Sequence, residues 1–307
     1  MDKLKAMTAF ITVAEEQGFA AAARRLSMSP PSVTRTIAEL EQHLGVALLL
    51  RTTRQVRLTE AGQQYLQDAR RIVADVVSSE ESITGAHGDP SGHLVVTAPA
   101  MFGCLHVTPV ITAFQQRYER VTVSAMFVDR VTDLMEEGID LGIRIGELPD
   151  SSLLRAIPLG TVALKTYASP EYLRSHGKPE VPEDLYQHRL IASTAGNRGP
   201  LWRFYDNGRE IHLRTTPVFS STTNDSVIAA AVAGHGITRV LSYQAAPQVT
   251  AGKLQPILEA YEGAAIPVSI VHPQGRNMPA KVRAFIDMAA QELREKLEHI
   301  RLQDRTD

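Results

Sequence analysis

Along the first sixty residues apolar positions recur at spacings of three and four, broken by short polar stretches. Leu4, Met7, Phe10, Ile11 and Ala14 form one such face. Ala20 to Leu26 predicts a short helix opening on four consecutive alanines, the best helix formers. Ser27-Met28-Ser29 ends it. Ser29 is a good N-cap, and Pro30 takes the first helical position, where a missing N–H removes nothing the helix uses. In the next helix Val33, Ile37, Leu40 and Leu44 follow at spacings of four, three and four, which predicts one buried face. The opposite face carries Ser32, Thr34, Arg35, Thr36 and Glu39. A buried stripe under a small, polar, Arg-bearing first turn is what a helix needs to enter a major groove. Arg51, Arg54 and Arg57 then alternate around Thr52-Thr53, the period of a β-hairpin wing that can lay arginines along phosphates.

From Thr59 to about His87 the pattern lengthens. Tyr65, Ala69, Ile72, Val76, Ser79 and Ile83 alternate four and three apart, a heptad seam on one helix of about 40 Å. Such a seam either packs on its own domain or pairs two chains. Pairing is favoured because two-fold symmetry presents two recognition helices to two half-sites. Gly85 to Gly92 is linker-like in composition. Beyond it strands and helices alternate, which predicts parallel α/β sheets. The expected strands are 93–97, 121–128, 141–145, 162–168, 190–193, 218–220, 236–241 and 268–272. A hairpin is expected at 202–213 around Asp206-Asn207-Gly208. Helices are expected at 105–118, 131–137, 225–233 and 280–297.

Composition adjusts this picture in a few places. At 307 residues the chain is too long for one small module. Residues 20–58 hold six arginines against two glutamates, although the whole chain carries a formal net charge of −2. A basic module on a near-neutral chain is the electrostatic footprint of a DNA-binding part. An ordinary three-helix bundle with a solvated charged face is the competing reading of the same pattern. The single cysteine, Cys104, excludes an internal disulfide. The opening residues lack a signal-peptide pattern and no run approaches 18 apolar residues, so a cytoplasmic protein without membrane contact is expected. The ten histidines show no metal-ligand spacing and no nucleophile motif is present. No catalytic residue, metal or cofactor is therefore expected.

From Leu4 to Gly62 the chain resembles the N-terminal module of LysR-type transcriptional regulators. The likeness rests on Leu4, Phe10, Val13, Ala21-Ala22-Ala23-Arg24-Arg25-Leu26, Ser29, Pro31, Val33, Arg35, Ile37, Leu40-Glu41, Leu44-Gly45-Val46, Leu48-Leu49, Arg51-Thr52 and Leu58-Thr59-Glu60-Ala61-Gly62. The family commonly has Gln where this chain has Pro30. Base reading then rests more on Pro31, Ser32, Thr34, Arg35 and Thr36, with Arg51 and Arg54 on the wing. The stretch from Thr223-Asn224-Asp225 to Gly236-Ile237 is similar to the family's effector-binding half. The resemblance implies an α/β effector domain of periplasmic-binding-protein type with two subdomains. A winged helix-turn-helix domain and a long linker helix precede it. The implied boundaries are 1–58 for the DNA-binding domain and 59–88 for the linker helix. Residues 89–163 with 268–307 would form one subdomain and 164–267 the other. A dimer of dimers is also implied, with Tyr65, Ile72, Val76 and Ile83 as the dimerisation seam.

The expected function is double-stranded DNA binding tuned by a small organic, anionic effector between the subdomains. Ligands in such sheets lie beyond the carboxyl ends of strands, near helix N-termini. That places Thr97, Pro99, Ala100, Met101 and Phe102 after one strand and Val128 after the next. Ser193, Phe219, Thr222 and Thr223 fall in the second subdomain. Each Ser or Thr is equally well read as an N-cap. Two other function classes fit parts of the pattern. A solute-binding protein explains the α/β half but not the first 88 residues. An enzyme lacks a visible catalytic constellation.

Overall fold

The computed structural model describes residues 1–51, 56–83, 89–148, 153–195, 201–274 and 278–303. The chain forms two compact units. The first comprises residues 1–93 with 120–122 and 277–281, and the second holds the remainder.

In the first unit three helices close a small core: α1 (Lys3–Glu16), α2 (Phe19–Arg25) and α3 (Pro30–Leu44). Asp2 caps α1 by accepting from the Lys5 N–H (3.1 Å), and Ser29 caps α3 by accepting from the Ser32 N–H (3.3 Å). Phe10, Val13, Ala22, Ala23, Val33, Ile37 and Leu40 are buried together. The expected stripe is correct as far as Leu40. Leu44 is 39% exposed and Leu4 38% exposed, because Leu48 and Leu49 on the chain entering the wing complete the core before those end residues are reached.

The wing is β1 (Leu49–Arg51) and β2 (Val56–Leu58), antiparallel, with Leu49 opposite Leu58. Glu41 of α3 accepts from the Leu48 and Leu49 N–H groups (2.8 and 3.0 Å), tying wing to helix. The long helix α4 (Glu60–Ile83) starts hard against this junction. A Cβ on Gly62 would lie 2.0 Å from the Leu48 carbonyl oxygen, so only glycine fits there.

The second unit contains two five-stranded sheets. The first has the order β4-β3-β5-β14-β6, from β3 (Gly92–Ala98), β4 (Val121–Phe127), β5 (Leu141–Ile145), β6 (Leu154–Val162) and β14 (Ile266–Pro273). The second has the order β11-β8-β12-β7-β13, from β7 (Leu164–Ala168), β8 (Leu190–Ser193), β11 (Phe219–Ser221), β12 (Ile237–Leu241) and β13 (Gln255–Ile257). The chain crosses between sheets at Ala163 and returns between Leu258 and Ala265. The expected parallel sheets are in fact mixed. β3 and β5 run parallel, as do β8 with β11 and β12, but β14 is antiparallel to β5 and β6, and β7 to β12 and β13. The reversed strand is the returning β14 in the first sheet and β7, the first strand after the crossing, in the second.

The helices of this unit are α5 (Ala100–Phe102), α6 (Thr108–Arg117), α7 (Pro170–His176), α8 (Asn224–Val232), α9 (Ser242–Thr250) and α10 (Ala280–Gln303). Between α5 and α6, Gly103–Val107 form a π-helical turn. The hairpin β9 (Leu201–Asp206) and β10 (Arg209–Arg214) turns at Asn207-Gly208, both at positive φ (49° and 83°). No helix forms at 131–137. The segment is a single turn in which Asp133 accepts from the Met135 and Glu136 N–H groups (2.9 and 3.1 Å) and Arg130 pairs with Glu137. These local bonds compete with helix propagation.

Candidate DNA interface and effector cleft

The first turns of α3 present Pro31 and Arg35 exposed, with Ser32, Thr34 and Thr36 half-buried beside them. Two hydroxyls are held by the helix itself: Thr34 Oγ1 donates to the Pro30 carbonyl (3.0 Å) and Thr36 Oγ1 to the Ser32 carbonyl (2.9 Å). Among the described residues Arg35 is tied only by an i,i+4 contact to Glu39 at 3.8 Å, and its side chain is 78% exposed. An exposed pair of this kind is weak, so the guanidinium is available to a phosphate or base edge. Arg57 is exposed on β2. Arg54 and the side chain of Arg51 lie outside the described residues.

Two other arginines of this unit are paired within it. Arg25 reaches Glu15 and Glu16 (3.0 and 3.1 Å), which hold its guanidinium pKa above the ordinary value. Arg70 of α4 also reaches Glu15 (2.9 Å). Tyr65 packs on the unit's own core, its ring 5.5 Å from Phe10, and burial raises its pKa. Ala69 is fully buried. The seam first faces outward at Ile72, 38% exposed, and continues through the half-buried Val76. The side chain of Ile83 lies outside the described residues.

In the second unit a cleft of about 240 Å3 opens between the two sheets. One wall comes from strand ends of the first sheet: Pro99 after β3, Val128 to Val131 after β4, and Arg144-Ile145 closing β5. The other wall comes from Ala195 after β8, Asn224 opening α8, and Leu241, Tyr243 and Gln244 at the start of α9. Carboxyl ends of strands and amino ends of helices therefore face one space, where an α/β protein holds small polar ligands.

The charges in this cleft are already sorted. Asp129 accepts from the Ala100 N–H (3.0 Å), so its carboxylate caps α5. Arg130 is bidentate to Glu137 (2.8 and 2.7 Å), which raises the arginine pKa and lowers that of the glutamate. Arg144 is different. Its guanidinium is half-buried and bonds the carbonyl (3.0 Å) and hydroxyl of Thr132, both neutral. Desolvation lowers its pKa from a starting point so high that it stays cationic. On the facing wall Gln244 accepts from the Leu241 N–H (2.9 Å) and donates to Tyr243 Oη (3.3 Å), which fixes the rotamers there.

The residues singled out in the sequence divide between this cleft and other places. Pro99 and Val128 line it. Ala100 lies beside it with its N–H taken by Asp129. Thr97 is buried and donates to the Met126 carbonyl (2.7 Å), so its hydroxyl ties β3 to β4. Met101 packs on the core beneath the second sheet. Phe102 is fully buried, edge-on to Tyr243 (5.2 Å) and beside His106 (4.9 Å). Both are pulled into the packing of α5 against α9 rather than left to cover a ligand. Ser193 lines a different cavity and accepts from the Ala195 N–H. Phe219 is 37% exposed on the edge strand β11 and does not line the cleft. Thr222 and Thr223 are exposed. Thr223 Oγ1 contacts Ser226 Oγ (2.8 Å) and makes no side-chain bond to the backbone N–H groups that open α8.

Two family matches cover this architecture. Residues 4–63 match the bacterial regulatory helix-turn-helix protein, lysR family, and residues 87–294 match the LysR substrate binding domain. The chain belongs to the LysR family of transcriptional regulators. A transcriptional repressor of Pseudomonas aeruginosa is 34% identical, covering 94% of this chain and 91% of the relative. The regulator CrgA of Neisseria meningitidis is 32% identical, covering 94% and 96%. The solved structure of CrgA is similar with a TM-score of 0.60, at 30% identity over 94% of this chain and 98% of that one. The full-length virulence activator AphB of Vibrio cholerae gives 0.61 at 26% identity, with the same coverage. The protein is thus a DNA-binding transcription regulator with an effector-binding domain, not a solute-binding protein. Among the described residues no helix is long and apolar enough to cross a membrane.

Tyr243 and Gln244 of this LysR-type regulator carry no signal in the sequence that places them in the cleft. The signal for α9 is faint, since Ser242–Thr250 carries Pro247 inside a short helix. Arg144 reaches the cleft because β5 ends beside Thr132, twelve residues earlier, and that proximity is tertiary.

Proposed function

We propose that this LysR-type regulator binds double-stranded DNA as a homodimer or homotetramer. A small carboxylate in the cleft between the sheets of its second unit modulates that binding. Arg144 carries the reading: a half-buried cation, oriented by neutral Thr132, at the wall of a small polar space. A carboxylate there would gain charge-assisted hydrogen bonds in a partly desolvated site. Asn224, which opens α8, and Tyr243 and Gln244, in the first turn of α9, line the far wall, where the amino end of a helix favours negative charge. The size of the cleft suits a small metabolite, being below the usual range for drug-sized ligands. Because the ligand bridges both sheets, it favours one subdomain arrangement over another. That difference in affinity is what shifts DNA binding, and a coupling of about 1–3 kcal/mol suffices. Pro31, Ser32, Thr34, Arg35 and Thr36 are the proposed groove contacts, with Arg51 and Arg54 from the wing. Ile72 and Val76 are the proposed pairing residues. The protein acts in the cytoplasm and performs no catalysis.

A panel of small carboxylates and their neutral amides, screened by thermal shift, tests this. At least one acid should raise the melting temperature and lose about tenfold or more in affinity in Arg144→Gln. If the best ligand is neutral or cationic, or binds Arg144→Gln equally well, the assignment fails.

A further inference from the structure

The wall that carries Arg144 also carries a carboxylate, and the two together narrow the class of ligand. Asp129 is half-buried and lines the cleft. Its Oδ1 accepts from the Ala100 N–H (3.0 Å), and among the described residues its side chain makes no other bond. Arg144 is hydrogen-bonded by neutral oxygens alone. Glu137, the carboxylate that acts on it through space, is already bidentate to Arg130. Among these four groups no net charge remains. A simple anion would add one uncompensated negative charge to this half-buried space, whereas a ligand carrying both signs adds none.

The sheet sets the distance between the two charges. β3 runs between β4 and β5. From the end of β4, Asp129 reaches the Ala100 N–H just beyond the end of β3. On the other side Gly142 of β5 pairs with Thr97 of β3. A Cβ on Gly142 would lie 3.6 Å from the Arg144 guanidinium carbon and 2.8 Å from Thr97 Cγ2, so the guanidinium sits at the level of Thr97. Thr97 and Ala100 are about 10 Å apart along an extended chain. A carboxylate and an ammonium on one carbon, each with a hydrogen bond of about 2.8 Å to its partner, bridge a gap of that size.

We propose, resting on the carboxylate site assigned above, that the effector is an aliphatic α-amino acid. It binds as a zwitterion, with its carboxylate on Arg144 and its ammonium on the second oxygen of Asp129. The aliphatic part follows from the rest of the lining. Val131, 90% exposed, borders the same space as Val128, Ile145 and Leu241, and an apolar side chain would cover them. The cleft of about 240 Å3 holds a molecule of this size. Selectivity comes from both charges. A deaminated acid offers Asp129 no donor and meets its negative charge, and an amide offers Arg144 no anion.

The full-length protein is titrated calorimetrically with L-valine, L-leucine, L-isoleucine and L-methionine, and with the deaminated acid and the α-amide of each. At least one amino acid should bind about tenfold or more tighter than its deaminated acid and its amide. Asp129→Asn keeps an oxygen for the Ala100 N–H and removes the charge. It should weaken the amino acid by about tenfold or more while the deaminated acid binds as well as before or better. Arg144→Gln should weaken both. The comparison in the wild type stands whatever the stability of the variants. The zwitterion is refuted if none of the four amino acids binds, if a deaminated acid binds as tightly as its amino acid, or if Asp129→Asn leaves amino-acid affinity unchanged. In those cases, deaminated-acid binding that is lost in Arg144→Gln keeps the carboxylate site and removes the ammonium contact alone. Amino-acid affinity unchanged in Arg144→Gln overturns both.

Discussion

Burial lowers the proton affinity of Arg144, His106 and His188 in the effector-binding half, and for the first two the consequences differ. Arg144 keeps its charge and turns it into recognition. His106 loses its charge: desolvation, helped by Lys296, pushes its pKa from 6.5 down to about 4. Its ring packs against Phe102 (4.9 Å) and Tyr243 (5.5 Å), and its Nε2 finds no hydrogen-bond partner among the described residues. The folded pKa is below the unfolded one, so the unfolded chain binds more protons between pH 6.5 and 4. The packing contribution is complete above about pH 6.5 and is lost as pH falls toward 4. The melting temperature of the effector-binding half should drop by several degrees between about pH 7.5 and 5. His106→Phe, which keeps the ring and removes the titration, should flatten that slope. A slope identical to wild type would assign the loss to other groups. None of this was legible from the histidine pattern, because His106 becomes buried only when α9 of the second sheet closes over α5.

At the level of elements, the parts that were readable are those whose signals are local. The helix-turn-helix follows from alanines, an N-cap and a proline at the first position. The β9–β10 hairpin follows from Asn207-Gly208. Strand β6 was missed because it carries Pro158 and Gly160. The structure accommodates them on the sheet edge beside a bulge at Val268/Ser269. Helix α4 shows where pattern alone misleads. Its heptad reads as one continuous pairing seam, yet Tyr65 and Ala69 are spent on α1 and only the later positions face outward. The two halves of the seam should therefore separate by mutation. Ile72→Glu with Val76→Glu should yield a folded monomer by light scattering, with weak DNA binding. Tyr65→Ala should instead lower the melting temperature of the first unit, at a cost of about 3 kcal/mol or less, while the oligomer persists. Dissociation by Tyr65→Ala with an intact oligomer in the double mutant would reverse the assignment.

Across the whole molecule, the chain joins a DNA-reading unit, basic along residues 20–58, to an effector-binding unit on a background of near-zero net charge. The division was visible in the sequence as a change of period, from three-and-four spacing to strand-helix alternation. The ligand chemistry was not, since it arises where separate strand ends converge. The central claim is sequence-specific DNA binding through α3. Fluorescence anisotropy of the full-length protein on the duplex upstream of its own coding sequence, with a shuffled duplex of equal length, tests it across a salt series. The upstream duplex should bind at least about 100-fold tighter. Arg35→Ala, a change at an exposed position, should weaken binding and reduce the salt slope by about one unit. Equal affinity for the two duplexes, or unchanged binding by folded Arg35→Ala, would contradict the account.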